Sequence, residues 1–381
     1  MKKVFVTLLV VACMGVGNFA QAEAPLSNPI LTGVPALTIA PDARATGMGD
    51  VGVATTPDVN SQYWNPAKYA FMESPFGAGL SYTPWLRKLV PDIYLAYLSG
   101  YYKLGERQAI STSVRYFSMG NIEKVDWFGN GQGSVQPNEW AIDLAYSMQL
   151  SSKLSASVAL RYVVTDLGNG SAIGSSSLYY AGSTGAADVS VYYKTPITIE
   201  SGESKLALGL CVSNIGGKVS YDKGQNTNFI PTNLRIGGSY EIPMDAYNKI
   251  SINADINKLL VPTPTAIYGD PVTLNSISSI DGIFKSFEVG PGGVAEKIRE
   301  IGWGSGLEYA YNNQFFVRGG YRHESQFKGN RKCFSAGAGF KLNIFQLDVS
   351  YIIAVTPTNP LDQTFRFSLS FDMFGIKNLA D

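Results

Sequence analysis

The chain has 381 residues, with 30 Lys and Arg against 30 Asp and Glu and only 16% of its residues charged. Past residue 20 no apolar run approaches the roughly 20 residues of a helical membrane span, so a helical membrane protein is excluded. The 22 Tyr, 19 Phe and 5 Trp argue against disorder, and a formal charge of zero leaves no basic face of the kind nucleic acid requires.

Lys2 and Lys3 precede an apolar run over residues 4–17 that ends near Ala20-Gln21-Ala22. This is the layout of a secretory signal peptide, so residues 1–22 are expected to be removed. Val10-Val11-Ala12-Cys13 resembles a lipoprotein box, but cleavage there would waste the apolar residues that follow it. Without Lys2 and Lys3 the mature chain has 28 basic and 30 acidic residues, a net charge of −2. Cys13 leaves with the signal, and Cys211 and Cys333 remain as one bridge or two free thiols. One histidine and no C-x-x-C pair predict no metal site, and no cofactor is expected.

Residues 23–75 do not alternate in polarity. They are rich in Pro, Ala, Thr and Gly, with short helix signals after Pro41 and Pro66. Gly47-Met48-Gly49-Asp50-Val51-Gly52 matches the G-x-G-x-x-G dinucleotide fingerprint. It has no hydrophobic strand before it and no βαβ unit around it, so the glycines read as permitting tight turns.

From Phe76 onward the dominant signal is period two. Trp140, Ile142, Leu144, Tyr146 and Met148 are separated by Ala141, Asp143, Ala145 and Ser147; Ile250, Ile252, Ala254 and Ile256 alternate with Ser251, Asn253 and Asp255. Each such segment has one oily and one polar face, as a strand with an apolar side requires. About fourteen segments follow this rule: 76–83, 92–103, 107–119, 139–150, 153–166, 186–195, 204–214, 232–242, 248–258, 302–311, 314–323, 332–341, 344–354 and 363–373.

A soluble sandwich and an outer-membrane barrel both produce alternation. The connections separate them. Those after even-numbered segments are mostly tight, as at Gly105-Glu106, Ser151-Ser152, Asn312-Asn313 and Leu342-Asn343, whereas 120–138, 167–185, 215–231 and 259–301 are long. Sorting by parity is the mark of a barrel with short periplasmic turns and long outer loops, both termini being periplasmic. Aromatics near segment ends (Tyr94, Tyr97, Tyr101, Tyr102, Trp303, Tyr309 and Tyr311) fit interfacial girdles. The expected fold is therefore an all-β transmembrane antiparallel barrel of about 14 strands over residues 76–381.

Arg115, Arg161, Arg235, Arg318, Arg322 and Arg366 occupy inward positions, beside Asp143, Asp255, Glu308, Asp348 and Asp372. Inside a filled lumen these charges neutralise one another; in an open one they would line an ion-selective pore. A barrel of this size is too wide for its own side chains to fill, so residues 23–75 are expected to form a plug within it. Its residues singled out are Asp42, Arg44, Gly47, Gly49, Trp64, Asn65 and Pro66. His323 and Ser325 share a strand face, but at a strand end they read as a solvated rim rather than a nucleophile pair, and no catalytic residue is expected.

Ser61-Gln62-Tyr63-Trp64-Asn65-Pro66-Ala67 resembles the N-terminal Asn-Pro-Ala element of FadL-type barrels. The longer run over residues 28–55, with Asp42, Arg44, Gly47, Gly49, Asp50, Gly52 and Ala54, resembles the PorV family, FadL-like outer-membrane components of the type IX secretion system of Bacteroidetes. Pro84-Trp85-Leu86 and Gln136-Pro137-Asn138-Glu139 support the resemblance within the barrel. It implies protein traffic: secreted cargo with a C-terminal signal domain is received from the SprA or Sov translocon and passed to an attachment complex of the sortase PorU with PorQ and PorZ. Such a role needs sticky outer loops. The candidates are Trp127 and Phe128 at an aromatic tip, and Leu259, Leu260, Val261, Ile283, Phe284 and Phe287 in the longest connection. A FadL-type uptake channel for hydrophobic small molecules and a diffusion porin are the competing readings; the mostly polar inward positions argue against the first.

Overall fold

The computed structural model describes residues 28–85, 92–126, 128–168, 180–200, 202–264, 275–290, 292–355 and 362–373. The signal peptide expected at residues 1–22 lies outside the described residues, as do Leu86 and Trp127.

Alternation places one side chain of each pair outward and the next inward, and the strands follow in chain order: β1 Phe76–Pro84, β2 Ile93–Lys103, β3 Gln108–Met119, β4 Ile122–Val125, β5 Gly131–Val135, β6 Asn138–Gln149, β7 Leu154–Asp166, β8 Gly182–Ile199, β9 Gly202–Gly216, β10 Lys218–Val219, β11 Asn228–Phe229, β12 Asn233–Pro243, β13 Asn248–Leu259, β14 Ile301–Tyr311, β15 Phe315–His323, β16 Cys333–Leu342, β17 Phe345–Ala354 and β18 Phe365–Asp372. All but β4, β5, β10 and β11 form a closed fourteen-stranded antiparallel barrel. It is sealed by β1 on β18, from Gly77 opposite Asp372 to Tyr82 opposite Phe367. Closure pairs both edges of the sheet, which a lipid environment demands because no water is present to satisfy an unpaired backbone group.

The faces sort as the period predicts. Ile142, Leu144 and Tyr146 of β6 are exposed on the outer surface, while Ala141, Asp143, Ala145 and Ser147 are buried. Tyr97 and Tyr101 correct the girdle assignment: both are buried, on the inward parity of β2 with Ser99, and Tyr101 stacks on Tyr69 at 5.1 Å. Two strands are longer than the pattern suggested. Pro196 reads as a strand end, yet β8 continues through it opposite Lys205 and meets β9 in a tight turn. Proline forfeits only its own donor to the ladder.

The short turns gather at one end of the barrel. In one of them Asn312 and Asn313 both have positive φ, 53° and 51°, the geometry of a two-residue hairpin turn, which asparagine tolerates. The long connections gather at the other end and carry structure of their own. β4 and β5 form a hairpin within residues 120–138. Among its described residues, the connection between β13 and β14 contains the helices Ser279–Lys285 and Gly293–Arg299. Among the described residues no helix is long and apolar enough to cross a membrane, and the barrel crosses with strands.

Residues 34–72 are largely buried inside the barrel and contain four short helical turns, Pro35–Thr38, Ala43–Thr46, Ser61–Trp64 and Pro66–Phe71. The expected helix starts after Pro41 and Pro66 are both present. The N-terminal side runs against expectation. The Asn28 amide donates to the carbonyl of Phe327 at 2.9 Å, in the long connection between β15 and β16, whereas β1 begins at the short-turn end with Lys103 donating to Pro75 at 2.8 Å. The chain therefore traverses the lumen from the long-loop end, and Asn28 is not at the short-turn end with β18. Strand parity fixes where β1 begins but says nothing of where the segment before it came from.

Candidate functional site in the lumen and long loops

Many of the inward charges meet partners on the segment from Pro35 to Phe71, and others meet partners across the wall. Arg44 donates to both oxygens of Glu308, at 2.9 and 3.1 Å, and to Asp58 at 2.8 Å. Glu308 also accepts from Arg318 at 2.6 Å, which reaches Asp348 at 2.6 Å. The result is a chain of five buried or half-buried charges crossing from plug to wall. Asp50 pairs with Arg322 and lies 3.5 Å from Arg366. Asp255 accepts the amides of Gly52 and Val53 at 2.7 and 2.9 Å. Arg161 bridges Asp143 and Asp188, and Gln62 donates to Asp143 at 2.6 Å. Part of the inward charge set is neutralised by ion pairs, whereas Arg115 and Arg235 donate to plug carbonyls of Ala36 and Tyr63 and Asp255 accepts plug amides.

The remaining plug residues have local reasons for their places. Asp42 caps the Ala43–Thr46 turn by accepting from the Ala45 amide at 2.9 Å, and accepts from the Trp64 indole at 2.6 Å. Asn65 donates to the carbonyls of Val53 and Val191, both at 3.0 Å, and its side-chain oxygen accepts from Ala67 at 3.1 Å. Pro66 then opens the next turn with its fixed φ, and its carbonyl accepts from Ser147 at 2.8 Å. Arg235 donates to the carbonyl and hydroxyl of Tyr63 at 3.1 and 2.9 Å.

The glycines of the G-x-G-x-x-G run are there for close approach as well as turning. Gly49 has φ +79°, and a Cβ on it would lie 2.6–2.8 Å from the backbone of Tyr321. On the wall, Gly304, Gly306 and Gly320 face the same stretch, with Met48 or Gly49 backbone inside 2.4 Å of any added Cβ. These wall glycines are partners the sequence reading missed; the signal was there as glycine at inward strand positions.

Two cavities lie on opposite sides of the plug. One of about 400 Å³ opens at the short-turn end among Asp58, Phe71, Tyr192, Lys194, Glu241 and Lys341. The other, about 80 Å³, lies under the long loops beside Asp50, Arg235, Leu259, Arg322 and Arg331. Both linings mix charged groups with apolar ones, Phe71, Tyr192 and Phe316 in the larger and Ile30, Trp64 and Leu259 in the smaller, so neither is the predominantly apolar wall of a hydrophobic-ligand site.

The long loops divide the candidate contact residues. Phe128 is 90% exposed at the tip of the β4–β5 hairpin; Trp127 lies outside the described residues. Phe284 and Phe287 are 70% and 54% exposed on and beside the Ser279–Lys285 helix, and Ile283 is half-buried. Leu260 and Val261 are corrected: at 5% and 2% exposure they are core residues, Val261 packing with Phe229 and Ile277, and Leu259 is half-buried at the end of β13. A helical pair laid over the barrel mouth needs its own hydrophobic floor, and these residues supply it. The upper face carries exposed residues not singled out from sequence: Ile280, Val289, Val294 and Ile298. Ile280 with Phe284, and Val294 with Ile298, were legible as i, i+4 apolar pairs.

The pair is clamped at its base. Glu300 accepts from Lys258 at 2.6 Å and from Thr263 and Lys297; Glu296 accepts from Lys328 at 2.9 Å. At the neighbouring loop Arg331 forms a two-pronged contact with Glu324, both bonds 2.8 Å. Burial opposes ionisation of Glu324, but Arg331 prevails and holds its carboxyl below the usual glutamate range.

Cys211 and Cys333 are both free and buried, which settles the open alternative. His323 stacks on Trp303, ring centroids 5.3 Å apart, and its ring nitrogen meets the Tyr321 hydroxyl at 3.3 Å. Among the described residues no three His, Cys, Asp or Glu side chains converge on a metal position.

A sequence-family model described as type IX secretion system protein PorV matches residues 21–266, more than half of the chain. The chain belongs to this family. It is an outer-membrane component of type IX secretion, and the family's work is secretion rather than chemistry. No curated protein matches the chain. Similar solved structures include the Ralstonia pickettii toluene transporter TbuX, at 11% identity and TM-score 0.45 over 87% of this chain and 97% of that one. The Pseudomonas putida toluene transporter TodX shows 10% identity and TM-score 0.45, over 91% and 98%. A Pseudomonas aeruginosa FadL homologue shows 10% identity and TM-score 0.44, over 91% and 100%.

Proposed function

We propose that this PorV-family barrel receives secreted cargo at its long-loop end by the cargo's C-terminal signal domain, then hands it from the translocon to the surface attachment complex. The long loops face the cell exterior and the short turns the periplasm. The partners of this reading are the SprA or Sov translocon, the sortase PorU, and PorQ and PorZ. Residues 23–75 act as a permanent plug, 76–381 as the membrane barrel. The observation that carries the reading is the exposed apolar face of the helical pair, centred on Phe284 and Phe287, on a chain of this family. Water-facing aromatics at such exposure are what a protein partner covers. Phe128 extends the surface on the β4–β5 hairpin.

The plug supports a docking platform over a conduit. Salt bridges from Arg44 and Asp50 hold it to the adjacent strands β14 and β15, Gln62 holds it to Asp143 on β6, and the cavity linings on either side carry charged groups. That argues against both the hydrophobic-uptake reading and a diffusion porin. The test is deletion of the gene with complementation by Phe284→Ser/Phe287→Ser. Cargo accumulates in the periplasm of the deletion strain, and the double variant restores display poorly although it inserts normally. Normal surface display in the deletion strain overturns the proposal.

A further inference from the structure

The stretch ahead of the plug has a place of its own among the long loops. Asn28 donates from its side chain to the carbonyl of Pro264 at 2.7 Å and to Glu296 at 2.9 Å, and from its amide to Phe327 at 2.9 Å. Pro264 and Glu296 belong to the connection that carries the helical pair; Phe327 belongs to the next. Ile30 packs on the floor of Phe229, Val261 and Ile277, against which Gly282 of the first helix rests. Gly33 donates to Phe229 at 2.8 Å. Leu31, between these anchors, turns outward and is 77% exposed.

We propose that residues 28–33 form a strap that is itself part of the cargo-receiving surface, with Asn28 and Ile30 as positioning residues for the helical pair and Leu31 as a contact residue. This rests on the receiving role proposed above. The strap adds to the direct ties among these three loop segments, such as Lys328 to Glu296 and Thr227 to Asn275, and so helps to set the height and tilt of the face bearing Phe284 and Phe287. It also presents one apolar side chain, Leu31, to solvent at the long-loop end.

Both remaining cysteines are buried, so single introduced cysteines can be labelled on intact cells with a membrane-impermeant maleimide. Leu31→Cys and Phe128→Cys are compared in the full-length protein. Both label without permeabilisation if the strap reaches the surface. Labelling of Phe128→Cys alone overturns the strap while leaving the loop orientation intact; labelling of neither overturns the orientation on which both rest. Asn28→Ala and Ile30→Ala then test positioning by hydrogen exchange and cargo capture. Exchange in residues 279–299 accelerates several-fold and capture falls several-fold, while heat-modifiable migration of the barrel is unchanged. Unaltered exchange and capture in both variants refute the positioning role. Leu31→Ser lowers capture without altering exchange, and full capture by that variant removes Leu31 from the surface.

Discussion

Glu308 shows what a single buried group does here. Its two oxygens serve two arginines from different parts of the molecule, Arg44 on the plug and Arg318 on the wall. Glu308→Ala leaves both cations short of a partner, and breaking a buried pair from one side costs about 3–5 kcal/mol. Reversible urea unfolding in lipid should register that loss. Arg331→Ala, at a partly exposed rim pair, should cost about 1 kcal/mol or less. The Arg331 contact also predicts a pH effect. Glu324 has its folded pKa depressed, so its contribution is complete above the ordinary glutamate range and is lost as pH falls through the depressed value. Hydrogen exchange in residues 324–332 should rise on acidification in the parent protein but not in Glu324→Gln. Gly49→Ala forces a side chain into left-handed backbone against Tyr321 and should cost more than about 1 kcal/mol by the same unfolding assay.

At the scale of elements, the strands and the loop helices answer to different forces. A barrel strand is held by two ladders and a lipid-facing row of side chains. The helices Ser279–Lys285 and Gly293–Arg299 are 7 residues each, too short to persist alone in water. They persist because Ser278 caps the first, Gly282 packs on Phe229, and Glu296 and Glu300 gather lysines beneath the second. Phe284→Ser removes nothing from that base, and Phe287→Ser gives up only the cation–π contact of its ring with Lys258, 5.5 Å away. Each should shift unfolding by within about 0.5 kcal/mol, as exposed sites usually do. Their effect belongs in cargo binding, measured by co-purification from membranes. Val261→Ser, placed in the floor, should loosen the pair and reduce binding indirectly, with faster exchange as the distinguishing sign.

For the molecule as a whole, the plug decides whether the barrel is a pore or a platform. Its contacts include both walls of the lumen, from Asp143 on β6 to Glu308 on β14 and Ser368 on β18. The intact protein in a planar bilayer should show no constitutive conductance. Breaking the plug latch with Arg44→Ala/Asp50→Ala should produce intermittent openings, since both substitutions release plug from wall without touching the strand ladders. A steadily open parent protein would contradict the platform. Cargo capture by a plug-weakened barrel whose loops exchange normally would separate closure from receiving.

The sequence by itself determined the staves. Period two is a local rule, written into every pair of neighbours, so all fourteen barrel strands, their inward charges and the parity of their connections were legible without coordinates. The run over residues 28–55, with its Asn-Pro-Ala sequel, likewise marked the family. What only the tertiary structure decided are the relations between residues far apart in the chain. Aromatic clustering near a strand end could not show that Tyr97 and Tyr101 lie inside rather than girdle the lipid, because β2 carries apolar residues on both faces and a tyrosine suits either. Nor could parity separate Leu260 and Val261, which pack beneath the helical pair, from Phe284 and Phe287, which stay on top. The direction of the plug was hidden for the same reason. A segment without period carries no record of which end of the barrel it starts from, and only the bonds of Asn28 to Phe327, Pro264 and Glu296 fix that it begins among the long loops.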